Sequence, residues 1–216
     1  FVMALGFLIA GWHVGRRVDR LSDEARRDPV TRVGNRRHWE ECLAHEVMRS
    51  AKADMPLSLL MLDVDNLKKL NDAGGHGAGD LALSVVGDVL NDTCRSRDIP
   101  ARFGGDEFAI LLPRTHASEA RVVAERIRQE LARRRVDLGP PLHALLTVSI
   151  GICDLASCEA PQPHLLFAAA DRALYRAKQA GRDRIEVVEK APQADISTVI
   201  VLEERRRARN KKSSTR

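Results

Sequence analysis

Apolar residues recur every three or four positions over residues 36–53, at Trp39, Leu43 and Val47, and this spacing predicts an amphipathic helix. A short apolar run follows at 57–64 and ends in acids; its length and composition predict a buried strand. Helical spacing returns at 78–94 (Leu81, Val85, Val89) and at 118–135, where Ser118 is placed to cap the first turn. Two short apolar runs, 99–103 and 108–112, are joined by Gly104-Gly105, which predicts a tight hairpin because such a turn needs positive φ. A stretch rich in β-branched residues, 142–152, predicts another strand. Residues 165–180 predict a helix closed by Gly181, and 184–188 a last strand. Helices and strands mix without regular alternation and one hairpin is clear. The fold class is therefore α+β, a mainly antiparallel sheet flanked by helices. No internal repeat stands out.

The first 27 residues read differently. Residues 1–14 are nearly all apolar and are followed by Arg16-Arg17. Fourteen helical residues span about 21 Å, short of a hydrocarbon core of ~30 Å. They read as the C-terminal part of a transmembrane helix, with Trp12 at the interface and the arginines on the cytoplasmic side. A signal-peptide remnant would end in small residues, not Trp-His-Val-Gly-Arg-Arg. The chain opens on Phe and is expected to be a piece of a longer or processed protein. Val14, Val18, Leu21 and Ala25 form a short heptad-like seam that runs into the linker segment 15–27 and suits a parallel coiled coil. Asp28-Pro29 breaks the helix and sets a domain boundary, with one domain expected over 28–190.

Composition narrows the function classes. The 216 residues are 44% hydrophobic and 30% charged, enough for a packed core and a polar surface. The net charge of +5 admits phosphorylated ligands, membranes or nucleic acid, but aromatics total only 4% and no groove-reading motif is present, so no nucleic-acid partner is expected. The excess of positive charge falls largely in the tail, 191–216, read as solvated and disordered. Four scattered cysteines (Cys42, Cys94, Cys153, Cys158) form no CxxC pair, which points to free thiols in a reducing compartment.

The candidate chemistry gathers where carboxylates interrupt apolar runs. Asp63 and Asp65 end the 57–64 strand at a spacing of two and so share a face. The hairpin tip carries Asp106 and Glu107. If the two elements are neighbours in one sheet, Asp63 and Asp106 converge, and carboxylates from separate elements with room for phosphate and water suit Mg²⁺. Taken alone, Asp63-x-Asp65 reads equally as a solvated strand end with Asp65 capping a helix. The glycine-rich run 66–80 matches neither a Walker loop nor GxGxxG. Its Asn71 and Asp80 offer an amide and a carboxylate that suit the N1 and N2 donors of guanine, although a turn with helix caps explains it as well. Lys178 and Arg182 complement a helix C-terminus and could also clamp phosphates.

The order of these pieces resembles a GGDEF domain, the bacterial diguanylate cyclase family, over residues 28–189. Asp28-Pro-Val-Thr-Arg-Val-Gly-Asn-Arg-Arg resembles its D-x-L-T-x-L-x-N-R-R opening; Asp63-Val-Asp-Asn-Leu-Lys-Lys-Leu-Asn-Asp resembles DxDxFKxxND. Gly75-His-Gly-Ala-Gly-Asp80 resembles GHxxGD, and Arg102-Phe-Gly-Gly-Asp-Glu-Phe108 matches RYGGDEF with Phe for Tyr. Thr147-Val-Ser-Ile-Gly151 and the run from Asp171 through Lys178, Gly181 and Arg182 to Arg184 resemble the family's T-x-S-x-G and A-D-x-A-L-Y-x-A-K-x-x-G-R-N-R. Leu67 departs from the usual Phe, Gly74 from a bulkier residue and Arg32 from a smaller one, without loss of a ligating group.

The resemblance implies a fold like nucleotidyl cyclases and polymerase palms, and condensation of two GTP into cyclic di-GMP and pyrophosphate between two face-to-face domains. It implies that Asp63, the Val64 carbonyl and Asp106 hold Mg²⁺ (Mn²⁺ being the alternative). Asp106 would also accept the proton of the attacking 3′-hydroxyl, and Glu107 would support the metal site. Asn71 and Asp80 would read guanine with His76 nearby. Lys68, Lys178, Arg182 and the amides of Asn66 and Leu67 would hold phosphates. Arg95-Ser-Arg-Asp98 matches the family's RxxD inhibitory site for cyclic di-GMP, with Arg126 contributed by a partner domain. The expected whole is a homodimeric, product-inhibited enzyme at the bacterial inner membrane, its catalytic domain cytoplasmic. The alternative is a non-catalytic receptor for GTP or cyclic di-GMP.

Overall fold

The computed structural model describes residues 26–137 and 143–188. The expected membrane helix, most of the linker seam and the basic tail lie outside them. Among the described residues, no helix is long and apolar enough to cross a membrane. The described residues form eight strands and five α-helices in irregular alternation: β1 (Gly34–Asn35), α1 (Arg36–Ala53), β2 (Leu57–Val64), α2 (Leu67–Gly74), α3 (His76–Thr93), β3 (Ile99–Gly104), β4 (Glu107–Pro113), α4 (Ala117–Arg133), β5 (Arg135–Asp137), β6 (His143–Leu145), β7 (Val148–Asp154), α5 (Pro163–Gln179) and β8 (Ile185–Val187). Six strands form one sheet in the order β1-β3-β4-β2-β7-β8; β5 and β6 pair separately. The inner pairs are antiparallel and the two outer ones, β1–β3 and β7–β8, are parallel, so the expected mainly antiparallel α+β sheet is present.

The largely apolar run of β2, interrupted only by Ser58 and Asp63, follows from its place. It is the inner strand between β4 and β7, and all eight residues are buried because helices cover both faces. Leu60, Leu62 and Val64 pack with Phe108, Ile110, Ile150 and the inner sides of α3 and α4. Leu57, Leu59 and Met61 pack with Ala109, Leu111, Cys153 and the inner sides of α1 and α5. Trp39, Phe103 and Phe167 meet at ring separations of 5.1 to 6.0 Å on this second face, with the Arg36 guanidinium 4.3 Å above the Phe103 ring. Gly151 lets α5 lie against β7: a Cβ there would sit 2.1 Å from the Leu174 nitrogen and 2.3 Å from the Ala170 oxygen.

Helix α1 and strand β2 span the residues their patterns predict. Elsewhere local bonding moves the limits. Helix α4 starts at Ala117 after His116, whose N–H donates to Glu119 at 3.0 Å; Ser118 lies inside the first turn and is not the cap. The strand expected over 142–152 is broken at Leu146-Thr147, because Thr147 turns to Asp65. The glycine-rich run contains helix α2, ended by Gly75 at φ 75°. Asp28 is part of the folded unit: its carboxylate accepts from the Thr31 N–H and hydroxyl, and Arg102 lies 3.3 Å away. Arg26 and Arg27, expected in the linker helix, pair back onto β1.

Candidate active site

Strand parity builds the site. Odd-numbered residues of β2 face α5, so the row Leu57, Leu59, Met61 continues to Asp63, which meets Lys178 in the last turns of α5. The Lys178 ammonium lies 2.6 Å from Asp63 Oδ2. Asp63 pairs across the sheet with Glu107 on one side and Ser149 on the other. The tip between β3 and β4 is closed by Gly105, at φ 51°, and Asp106, whose carbonyl accepts from the Val64 N–H at 3.0 Å. Arg102 braces the tip by donating to the Gly105 carbonyl at 2.8 and 3.1 Å while reaching Asp28. The convergence of Asp63 and Asp106 expected from sequence is therefore present, with Glu107 directly beside Asp63.

This grouping is electrostatically costly. Burial pushes the Asp63 carboxyl up from 3.8 to about 6; Lys178 opposes the rise, and Asp106 and Glu107 add to it. Among the described residues no three His, Cys, Asp or Glu side chains are already clustered as a metal cage. The expected donor set, two carboxylates and the Val64 carbonyl, is smaller than such a cage. It fits a hard cation that keeps water and phosphate ligands, and Lys178 already stands where positive charge is needed.

Asp65 has a different job from its neighbour. It accepts from Thr147 Oγ1 at 3.0 Å, Ser149 Oγ at 2.7 Å and the Asp183 N–H at 3.1 Å, and is buried. It does not cap α2; Asn66 occupies that position, at φ 58° and without a side-chain cap bond. Asp65 thus ties β2 to the turn after α5. That turn is a Schellman closure: Arg182 N–H donates to the Ala177 carbonyl at 3.0 Å and Gly181, at φ 113°, to Lys178 at 3.4 Å. Arg182 and Asp183 are both left-handed, and Asp183 is held by Arg128 at 2.9 Å. The closure and its two anchors orient Lys178 and Arg182 on one end of the sheet.

Directly after β2, the N-terminal turn of α2 exposes Asn66 and Lys68, while Leu67 is buried. Asn71 packs against Gly79, where a Cβ would lie 2.0 Å from its Oδ1; that oxygen is buried and has no hydrogen-bond partner. His76 and Asp80 are exposed in the first turns of α3.

A family model described as "Diguanylate cyclase, GGDEF domain" matches residues 25–184. The chain belongs to the GGDEF family. It is 42% identical over 161 residues to the diguanylate cyclase DgcP of Pseudomonas aeruginosa, covering 74% of this chain and 23% of that protein. It is 36% identical over 160 residues to the diguanylate cyclase DosC of Escherichia coli, covering 74% of this chain and 34% of that protein. The chain thus spans only part of these relatives. Among solved structures, the coiled coil and GGDEF domain of DgcB from Caulobacter crescentus in complex with c-di-GMP superposes with a TM-score of 0.77 at 26% identity, covering 86% of this chain and 97% of that one. The GGDEF domain of TpbB (YfiN) from Pseudomonas aeruginosa gives 0.71 at 30% identity, covering 76% and 94%.

Within this GGDEF domain, Arg95 and Asp98 sit at the far end of β3 from the acidic tip, about 17 Å along the strand. Asp98 is buried, and its carboxylate accepts from the Arg95 N–H at 2.8 Å, leaving the Arg95 side chain exposed. They line a cavity of about 460 Å³ together with Arg26, Arg27, His38 and Cys94. Arg126 donates to the Thr93 carbonyl at 2.7 Å, beside this cavity, and is not one of its lining residues. Sequence reasoning missed Arg26, Arg27 and His38 here, and Thr147, Ser149, Asp183 and Arg128 at the other site. Thr147-x-Ser149 at strand spacing opposite an acid-ended strand was the available signal for the second group.

Proposed function

We propose that the chain is a diguanylate cyclase domain that condenses two GTP into cyclic di-GMP with release of two pyrophosphates. The observation that carries this is the placement of Asp63, Asp106 and Glu107 on adjoining strand ends, faced by Lys178. Each domain holds one GTP, and two domains meet so that each 3′-hydroxyl oxygen attacks the α-phosphorus of the opposite nucleotide. Asp106 takes the hydroxyl proton as the new P–O bond forms and the bond to pyrophosphate breaks. Asp63, Asp106 and the Val64 carbonyl would hold Mg²⁺ or Mn²⁺; the Asp63 carboxyl, raised chiefly by burial and further by Asp106 and Glu107 against the pull of Lys178, is a group that a nearby cation would stabilise in its charged form. When bound, the ion supplies Lewis-acid activation and neutralises phosphate charge. Glu107 adds negative charge that fixes the ion's position.

Lys178 has three donors and serves both Asp63 and a phosphate oxygen. Arg182 contributes a forked contact to the same phosphates, and Lys68 with the Asn66 and Leu67 amides closes on them from the N-terminus of α2. Asn71 and Asp80 read the guanine edge, with His76 at its rim. The Asn71 oxygen, packed against Gly79 without a hydrogen-bond partner, supports a polar group there whose bonding a ligand could complete. The catalytic unit works as a homodimer; the 15–27 seam supplies proximity and the 1–14 segment anchors it at the bacterial inner membrane with the domain in the cytoplasm. Cyclic di-GMP feeds back at Arg95 and Asp98, with Arg126 of a facing domain turned outward to the ligand. The cavity beside Asp98 and its three arginines (Arg26, Arg27, Arg95) support an anionic ligand.

An Asp106→Ala variant tests the catalytic reading. It is expected to keep the wild-type circular dichroism and to make no cyclic di-GMP; wild-type turnover in the variant would overturn the role. Arg95→Ala is expected to relieve product inhibition, and inhibition unchanged in that variant would remove the regulatory site.

A further inference from the structure

Cys153 and Cys158 are adjacent in space. Their sulfurs lie 3.8 Å apart, Cys153 fully buried at the end of β7 and Cys158 half-buried just after the short 3₁₀ turn Leu155–Ser157. Both thiols also lie near the same acceptor, the Asp154 carbonyl, at 3.3 and 3.8 Å. The turn that brings them together is braced. The Asp154 carboxylate accepts from the Ser157 N–H at 2.9 Å and its hydroxyl at 2.8 Å, and the Cys158 N–H donates to Leu155 at 3.2 Å. A disulfide has an S–S length of about 2.05 Å, so closing this gap takes less than about 2 Å of movement, within reach of side-chain rotation in the partly exposed residue. None of the proposed catalytic groups uses this pair.

We propose that Cys153 and Cys158 are a peroxide-oxidisable dithiol that closes to an intramolecular disulfide in the folded domain. The Cys158 thiolate attacks one oxygen of hydrogen peroxide, the O–O bond breaks, and Cys158 becomes a sulfenic acid as the first water leaves, carrying the proton lost from the thiol. The Cys153 sulfur then attacks the Cys158 sulfur, the S–O bond breaks, and a second water carries away the hydroxyl and the Cys153 proton. Two thiols are oxidised to one disulfide and one peroxide is reduced to two waters. The order follows from the surroundings. The close contact with Cys153 pulls the Cys158 thiol below its ordinary range, whereas that same contact, with burial, holds Cys153 well above it. Cys158 is also the more accessible of the two. Cys42 and Cys94 are each pushed up, chiefly by burial, and are the poorer nucleophiles.

The bond would staple the end of β7 to the chain that leads into α5. Asp154 faces Ser58 and Ser149 faces Asp63, so the pair lies about five strand residues, roughly 17 Å, from the acidic cluster. Oxidation is thus expected to act on the stability of the β7–α5 connection, and its detection does not depend on turnover.

The test exposes the full folded chain to hydrogen peroxide, alkylates the remaining thiols after unfolding, and maps the digested peptides by mass. The expected result is a peptide containing Cys153 and Cys158 that is two hydrogens lighter and carries no alkyl group. Dithiothreitol restores both thiols, Cys42 and Cys94 remain alkylated, and the oxidised chain melts a few degrees higher than the reduced one. Cys158→Ser is expected to leave Cys153 alkylatable after the same treatment. Alkylation of all four cysteines after peroxide, sulfinic acid at Cys158 with Cys153 still a thiol, or a disulfide formed only in denaturant would each overturn the proposal. The peptide map of the unsubstituted chain decides the matter even if the variant fails to fold.

Discussion

Replacing Asp63 by Asn should stabilise the metal-free domain while destroying the proposed chemistry. Asp63 is 6% exposed and faces Asp106 and Glu107, with Lys178 as partial compensation. A carboxyl raised from 3.8 to about 6 makes its ionised form a liability to the fold. The full difference corresponds to about 3 kcal/mol at neutral pH. Lys178 is 30% exposed and water reaches this end of the sheet, so about 1–2 kcal/mol is the expected gain. The sign follows from proton counts. Between pH 3.8 and about 6 the folded state holds the proton more tightly than the unfolded chain, so the wild type loses stability as pH rises through that window. The advantage of Asp63→Asn should therefore be near zero at pH 4, grow to pH 6 and stay level above it. Urea denaturation of both proteins in EDTA, followed by circular dichroism across this range, measures it. A variant equal to or less stable than wild type at pH 7.5 would refute the electrostatic reading of the site.

Other substitutions probe the scaffold around that site. Gly151→Ala should cost about 3 kcal/mol, because the new methyl meets α5 backbone that cannot move without separating helix from sheet; urea midpoints measure it. Asp65→Ala should cost about 2–4 kcal/mol by leaving Thr147, Ser149 and the Asp183 N–H without their buried acceptor, again read by urea unfolding. Asp28→Ala should cost about 0.5–1 kcal/mol at pH 7, a small figure because the residue is partly exposed. Burial raises the Asp28 carboxyl, but Thr31 and Arg102 outweigh that and hold it below 3.8. The stability it adds is thus complete above pH 3.8, and the gap to the variant should close as pH falls through the lower folded value.

The central sheet was legible because each pattern there has one physical meaning. A run of eight residues with six apolar and no polar alternation belongs between two helix layers, and β2 lies there. The convergence of Asp63 with Asp106 was legible from parity and from the hairpin glycines. What stayed hidden depends on long-range bonds. Thr147 leaves the strand pattern because it bonds Asp65, 82 residues away. Helix α2 hides in a glycine-rich run because all four of those glycines lie at its end or in the next helix, not in its interior. His116 caps α4 in place of Ser118 through Glu119, a choice that the spacing alone leaves open. The arginines beside Asp98 were unreadable for the same reason: Arg26 and Arg27 reach that cavity only because the chain before β1 folds back on it.

The central claim is that this end of the sheet is a working cyclase site. The most direct measurement incubates the purified chain, confirmed as a dimer, with GTP and Mg²⁺ and resolves the nucleotides by chromatography. Cyclic di-GMP and pyrophosphate accumulating in a ratio of one to two is the predicted result. A dimer that binds GTP and leaves it unchanged would contradict the account and make the domain a nucleotide receptor.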